Sequence, residues 1–193
     1  MTNEITVILD EILAFLSRWQ FPVVGFLQHG LNKDLILELF SNINLQPTNE
    51  LLQLYAWKNG VNVVEGINLD DIQFVPGYHI LSLEGAIAQY IAVKGDPRWD
   101  RSWFPVMANG GGDFYVIDLA QSDGESAPVI GFLLGEEEQD TEYQSIAAML
   151  HTFFECYKKG IVYRSEEGYL EMDDDKHALV AKMYNPSVEF WQV

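Results

Sequence analysis

The side chains that could act as nucleophiles or general bases are dispersed along the sequence. The four histidines are His29, His79, His151 and His177. None of them belongs to a His-Glu-x-x-His helix, and no serine stands in a Gly-x-Ser-x-Gly elbow. Cys156 follows His151 by five residues, so on one helix the two side chains point in different directions, and we expect a packed thiol. The sequence predicts no catalytic residue, although an enzyme of unrecognised type remains an alternative.

Acidic residues are the other candidates for chemistry, as ligands for a hard cation. The run that begins at Asp173 resembles the start of a calcium loop, but Ala178 stands where such a loop needs glycine and Tyr184 where it needs glutamate. The run at residues 136–140 contains four carboxylates, yet adjacent loop residues rarely close a metal site by themselves. We therefore predict neither a metal nor a cofactor.

A glycine-rich segment at residues 103–119 reads Trp-Phe-Pro-Val-Met-Ala-Asn-Gly-Gly-Gly-Asp-Phe-Tyr-Val-Ile-Asp-Leu. Asn109-Gly110 is a strong hairpin dipeptide, and the residues on both sides of it are apolar, β-branched or aromatic. A phosphate-binding loop would need a lysine and a hydroxyl residue at the start of a following helix, and Asp113 would repel phosphate. The segment therefore predicts two strands joined by a tight turn.

The net charge of −18 disfavours direct binding to nucleic-acid phosphates or to an anionic membrane surface. From Ser102 through Tyr157 there is no lysine or arginine. The same region holds ten carboxylates: Asp113, Asp118, Asp123, Glu125, Glu136, Glu137, Glu138, Asp140, Glu142 and Glu155. Each carboxylate taken alone is explained as a solvated surface residue. The clustering of ten of them in a stretch without lysine or arginine favours a basic partner.

Composition and length indicate one globular domain. Hydrophobic residues make up 48% of the 193 residues, which is enough to bury a sizeable core. A single cysteine, Cys156, excludes an intrachain disulfide framework. The first residues lack the basic start of a secretion signal, and no run approaches the ~20 apolar residues of a membrane span. We expect a soluble cytoplasmic protein.

The apolar spacing predicts helices first, then strands with one inserted helix, then a late helix, an order typical of the α+β class. Helices are predicted at residues 5–16 with Asn3 as the cap, and at 33–40, 48–57, 82–90, 145–159 and 178–184. Asn59-Gly60 should stop the third of them. Strands are predicted at residues 61–64, 103–108, 114–119, 128–134 and 161–163, with an extended piece at 78–81 and an acidic loop at 136–140. Phe190 and Trp191 should dock the end of the chain.

Several of these segments together resemble the SUKH superfamily, the Smi/Knr-like family that includes a fungal cell-wall-assembly regulator and bacterial toxin-immunity proteins. One segment is Leu-Leu-Gln-Leu-Tyr-Ala-Trp-Lys-Asn-Gly at residues 51–60, which contains Trp57, Asn59 and Gly60. Another is the helix that follows, Leu-Ser-Leu-Glu-Gly-Ala-Ile at residues 81–87. The third is the hairpin at 103–119, with Trp103, Pro105 and the Gly112-Asp113 pair. The resemblance covers residues 30–160.

The resemblance implies a single α+β domain with a twisted, largely antiparallel sheet covered by helices, and no catalytic residues. It implies a protein-binding role, as an immunity protein against a toxin, often a nuclease, with a regulatory adaptor as the alternative. The acidic charge favours a basic toxin. Five carboxylates and one aromatic side chain are the candidate contacts: Asp113, Glu136, Glu137, Glu138, Asp140 and Trp99. Trp103 better fits a core position than Trp99, and Asp113 could equally cap a turn. Residues 1–160 are assigned to the domain and 161–193 to an acidic appendage packed on it.

Overall fold

The amino-terminal helix forms where apolar residues recur every three or four positions. In the computed structural model, which describes residues 4–192, helix α1 spans Glu4–Arg18. One stripe of the helix is buried: Ile5, Ile8, Leu9, Ile12 and Leu16. The burial of this stripe confirms the predicted helix. The predicted cap at Asn3 lies outside the described residues.

Two further helices begin at polar side chains that cap their free amides. After α1 the chain forms α2 (Val23–Phe26), β1 (Leu27–His29), α3 (Lys33–Asn42) and α4 (Asn49–Trp57). Asn32 Oδ1 accepts a hydrogen bond from the Leu35 amide at 2.8 Å, and Thr48 Oγ1 accepts one from the Leu51 amide at 3.2 Å. These caps fix the starts of α3 and α4 close to where the sequence predicts them.

The next strand begins earlier than predicted. Strand β2 spans Lys58–Val61 and pairs antiparallel with β1, whereas residues 62–64 are exposed and irregular, so the predicted strand at 61–64 is wrong. Asn59 is buried within this strand, and its Oδ1 accepts a hydrogen bond from the Leu83 amide at 2.8 Å. Gly60 has a positive φ of 54°, as expected for the residue that ends a helix. It lies inside β2, however, because α4 already ends at Trp57.

The central sheet is a five-stranded antiparallel meander. Its strands lie side by side in chain order: β3 (His79–Ile80), β4 (Trp103–Ala108), β5 (Phe114–Asp118), β6 (Val129–Phe132) and β7 (Asp140–Tyr143). The predicted hairpin is confirmed, with Ala108 opposite Phe114 and Trp103 opposite Asp118. Strand β6 ends at Phe132, two residues before the predicted end. Strand β7 was not predicted, and Asp140 belongs to it rather than to the acidic loop.

The register assigns residues to the two faces of the sheet. Phe114 lies opposite both Ala108 and Phe132, and Ala108 lies opposite His79, so these side chains share one face. Tyr115 and its partner Gly131, one residue along, face the other way. Helix α5 (Leu83–Val93) is inserted between β3 and β4, and α6 (Ile146–Lys158) follows β7. Both helices were predicted.

The final segment packs onto the sheet and α6. It contains β8 (Val162–Arg164), β9 (Leu170–Met172), α7 (Asp174–Tyr184) and a short 3-10 helix, Glu189–Gln192. Helix α7 begins four residues before the predicted start, because Asp173 Oδ1 caps it by accepting from the Lys176 amide at 3.1 Å. The Trp191 indole N–H donates to the Glu142 carbonyl, while Phe190 is 42% exposed. The α+β class and the antiparallel sheet are as predicted; the division at residue 160 stays a proposal.

Candidate protein-binding site

The acidic run projects from the turn between β6 and β7. Glu136, Glu137 and Glu138 are exposed in this turn, and Asp140 is exposed at the start of β7. Within residues 4–192 none of these four carboxylates takes part in an ion pair. We call residues 133–140 the acidic hairpin. Its four carboxylates face solvent and none of them is neutralised by an ion pair among the described residues.

The backbone of the acidic hairpin is held by two side chains. Gln139 accepts a hydrogen bond from the Leu133 amide at 2.7 Å and donates to the Leu133 and Glu136 carbonyls at 3.0 and 2.9 Å. The Arg98 guanidinium donates to the Leu134 carbonyl and, at 3.3 Å, to the Glu136 carbonyl. Arg98 is in turn paired with Asp96 at 2.7 Å. The turn is therefore fixed through its main chain, which leaves the glutamate side chains free to contact a partner.

Asp113 joins the two hairpins rather than pointing freely into solvent. Its Oδ1 accepts a hydrogen bond from the Leu134 amide at 2.9 Å, and its Oδ2 accepts one from Asn109 Nδ2 at 2.7 Å. The β4–β5 turn and the acidic hairpin meet at the same end of the sheet through this carboxylate. The geometry thus gives Asp113 a turn-bridging role; whether it also contacts a partner remains a proposal.

A cavity of about 630 Å³ lies beneath the acidic hairpin. Glu142 and Phe190 line it together with Gly131, and Glu142 Oε1 crosses the face of Gly131 where a Cβ would lie only 1.9 Å away. The pKa of Glu142 is raised to about 7, mainly by burial; the charge of Asp140 also raises it, and a hydrogen bond from Tyr115 opposes the shift. The acidic site therefore contains one carboxyl group whose pKa lies near neutral pH, and no local pattern in the sequence indicates it.

The comparison with known families decides the identity of the fold. The model of the SMI1 / KNR4 family (SUKH-1) matches residues 30–156, which is more than half of the chain. The chain belongs to the SMI1/KNR4 family. No curated protein matches the sequence. Membership in the SMI1/KNR4 family fits a non-enzymatic immunity or regulatory domain.

The residues that carried the SMI1/KNR4 resemblance are structural in this protein. Trp57 donates its indole N–H to Asp10 Oδ1 at 2.7 Å. Asn59 Nδ2 donates to Gln28 Oε1 at 3.1 Å and to Glu84 Oε2 at 2.9 Å, so it ties three elements together. Two more of these residues, Trp103 and Pro105, form the first half of β4, and Gly112 adopts a φ of 109° in the β4–β5 turn.

The exposure predicted for Trp99 is wrong. Trp99 is only 5% exposed, and its indole N–H donates to the Trp103 carbonyl at 3.2 Å. Its ring packs edge-on against Phe114 and Phe132, with centroids 5.8 and 4.9 Å away. Burial is favoured because these two rings form an apolar cross-strand pair that needs a cover. Trp103 is the more exposed of the two tryptophans, the reverse of the prediction.

The histidines and the cysteine do not converge in the SMI1/KNR4 fold. His79 and His177 are buried, and burial lowers the pKa of each to about 4. Cys156 is buried, and burial raises the pKa of its thiol to about 12. Among the described residues no group of histidines, cysteines or carboxylates is arranged to hold a metal ion. None of the helices formed by these residues is both long and apolar enough to span a membrane.

Proposed function

We propose that this chain is a non-enzymatic, cytoplasmic immunity protein that binds and neutralises a basic toxin through the acidic hairpin. The observation that carries the proposal is the set of four exposed, unpaired carboxylates at Glu136, Glu137, Glu138 and Asp140, held on a fixed turn. Family membership supports a binding role. The net charge of −18 favours a partner of opposite charge.

Electrostatics explains how such a surface would act. A nuclease must carry basic residues to hold nucleic-acid phosphates, and an acidic hairpin is attracted to the same residues. The attraction speeds encounter and orients the partner, and the bound hairpin then occupies the space that phosphate would take. Because Gln139 and Arg98 already fix the turn, binding orders little additional backbone.

The first test is to capture the partner from the source cells. Wild-type protein is used as bait at low and at moderate salt, and the bound proteins are identified by mass spectrometry. We expect one basic, toxin-like protein that is lost as salt rises, because exposed charges are screened over about 10 Å at 0.1 M salt. Several proteins unrelated to toxins would instead support a regulatory adaptor, and no specific partner would contradict the proposal.

The second test measures the role of the hairpin charges with a matched control. The test variant combines Glu136→Gln, Glu137→Gln, Glu138→Gln and Asp140→Asn. The control combines Glu38→Gln, Glu65→Gln, Glu166→Gln and Glu167→Gln, which removes the same charge from other exposed positions.

We expect the test variant to associate with the captured basic protein about tenfold more slowly at low salt, with unchanged thermal stability. The association rate of the control should fall far less, because its four substituted positions are spread over other elements. Equal slowing by both variants would indicate that only net charge matters and would move the interface away from the acidic hairpin.

A further inference from the structure

A second cavity, also of about 630 Å³, opens between α5 and the β4–β5 turn. Helix α5 contributes Gly85, Ala88 and Gln89 to its wall, and the turn contributes residues 110–112. It lies on the sheet face that carries His79 and Phe114, whereas Gly131 of the acidic cavity faces the other way. The two cavities therefore open on opposite faces of the sheet, although the β4–β5 turn that lines this one also contacts the acidic hairpin through Asp113.

The lining of this second cavity is uncharged. No aspartate, glutamate, lysine or arginine is among the described residues that surround it, although the whole chain carries a net charge of −18. Small residues dominate two of its walls, Gly85 and Ala88 on α5 and the glycines of the turn, and the Phe114 ring adds an aromatic surface. An uncharged lining of small residues beside an aromatic ring favours an uncharged group that contains a ring, and Asn62, Ser82 and Gln89 add polar side chains to the same walls.

One polar side chain is buried at this cavity without a partner. His79 is 3% exposed, lines the cavity, and forms no hydrogen bond through its ring nitrogens with any residue in the described range 4–192. Burial lowers its pKa to about 4, so the imidazole is neutral at pH 7 and offers one N–H donor and one acceptor. Its ring nitrogens are open to the cavity rather than sealed in the protein interior, so a ligand with a matching atom can reach them.

We propose that this cavity binds an uncharged aromatic group that carries a hydroxyl or ring N–H, with His79 as its hydrogen-bond partner. The ring would lie between the α5 wall and the glycine turn. The same chemistry occurs in a free phenol or indole and in the tyrosine or tryptophan side chain of another protein. The volume of about 630 Å³ exceeds one ring, so a substituted ring or a short piece of peptide also has room.

Titration of the full chain with p-cresol, followed by amide and imidazole NMR signals, tests the site. We expect shifts at Ala88, Gln89, residues 110–112 and the His79 ring. Ala88→Phe should weaken binding at least about tenfold because it fills the cavity from the rim, whereas Ala92→Phe, an exposed position on the same helix that does not line the cavity, should leave it unchanged.

The hydrogen bond to His79 has its own test. Toluene lacks the hydroxyl of p-cresol, so it should bind about two- to tenfold more weakly, the range of one neutral hydrogen bond. The anion 4-hydroxybenzoate should bind more weakly than p-cresol, because the walls offer no cation. Equal affinity for toluene and p-cresol, shifts that map elsewhere, or equal effects of Ala88→Phe and Ala92→Phe would overturn the proposal.

A final comparison separates the two sources of the ring. N-acetyltyrosinamide presents the phenol as it occurs within a polypeptide. Binding of this compound at least as tight as that of p-cresol assigns the cavity to a side chain of another protein. Binding of p-cresol alone assigns it to a free small molecule. Both results leave the acidic hairpin proposal untouched, because neither probe carries a positive charge.

Discussion

At the scale of single residues, Glu142 is a carboxyl group in an environment that its type does not suggest. A bulge in β7 places Thr141 opposite Ile130 and Tyr143 opposite Val129, so Glu142 is the extra residue between them. Its carboxyl group turns over Gly131 and is largely removed from water. Removal from water favours the protonated form, which is why its pKa is about 7.

We expect Glu142→Gln to change how stability depends on pH. The pKa of Glu142 is about 7 in the folded chain against an ordinary 4.5, so its protonated form contributes fully below pH 4.5 and that contribution is lost as pH rises through 7. The free energy of unfolding of the wild type, relative to Glu142→Gln, should fall by up to about 3 kcal/mol from pH 4.5 to 8. Urea unfolding of both proteins at several pH values measures this difference in the free energy of unfolding.

Subtracting the stability of Glu142→Gln from that of the wild type at each pH isolates the effect of Glu142, because all other titrating groups are common to both proteins. Exposed Glu138→Gln serves as the control and should follow the wild type at every pH. Parallel stability profiles for the wild type and Glu142→Gln would show that the carboxyl group is better hydrated than its position over Gly131 indicates.

At the scale of elements, the passage from α4 through β2 to α5 depends on a close backbone contact. Gly60 has a φ of 54°, and a Cβ at this position would lie 2.3 Å from the Leu81 carbonyl oxygen. The neighbouring Val61 forms a parallel bridge with Leu81, which connects the small β1–β2 sheet to the chain entering α5. The glycine is therefore required by the approach of two backbones as well as by its own conformation.

We expect Gly60→Ala to destabilise the fold by about 2–4 kcal/mol, because it adds a left-handed strain and a clash with main-chain atoms that cannot move aside. Gly95→Ala is the matched control, since no atom lies within 4 Å of a Cβ there and its φ is not positive. Chemical denaturation gives both values. A loss below about 1 kcal/mol at Gly60 would mean that the β2 segment shifts freely relative to Leu81.

At the scale of the whole molecule, a buried asparagine connects the final segment to the body. Asn185 is 0% exposed; its Oδ1 accepts from the Gln144 amide at 3.1 Å, and its Nδ2 donates to Thr152 Oγ1 at 3.1 Å. It also donates to the Ala181 carbonyl at 3.0 Å. The end of α7, the middle of α6 and the exit from β7 therefore share one polar side chain in the interior.

We expect Asn185→Ala to cost about 2–4 kcal/mol, because it removes three hydrogen bonds from the interior and leaves the Gln144 amide without an acceptor. If residues 161–193 unfold together with the body, hydrogen exchange should accelerate in α6 and β7 as well as in α7. Ser187→Ala, at an exposed position nearby, should have no effect. Acceleration confined to α7 would instead indicate an appendage that opens on its own.

The sequence by itself determined the elements whose signals are local. The apolar stripe of α1, the starts of α3 and α4 and the Asn109-Gly110 turn all depend on residues within a few positions of each other. Their order also identified the family correctly. The exposed glutamates at 136–138 could be predicted for the same reason, because a run of adjacent charges cannot be buried.

Only the tertiary structure decided which residues meet across the sheet. Trp99 is buried because two strands distant in sequence bring Phe114 and Phe132 beneath it. Strand β7 was missed even though Thr141 and Tyr143 favour a strand, because its four residues are too few for alternation to stand out beside the acidic run. The raised pKa of Glu142 and the unpartnered imidazole of His79 depend on burial, and burial is set by contacts between segments far apart in the chain.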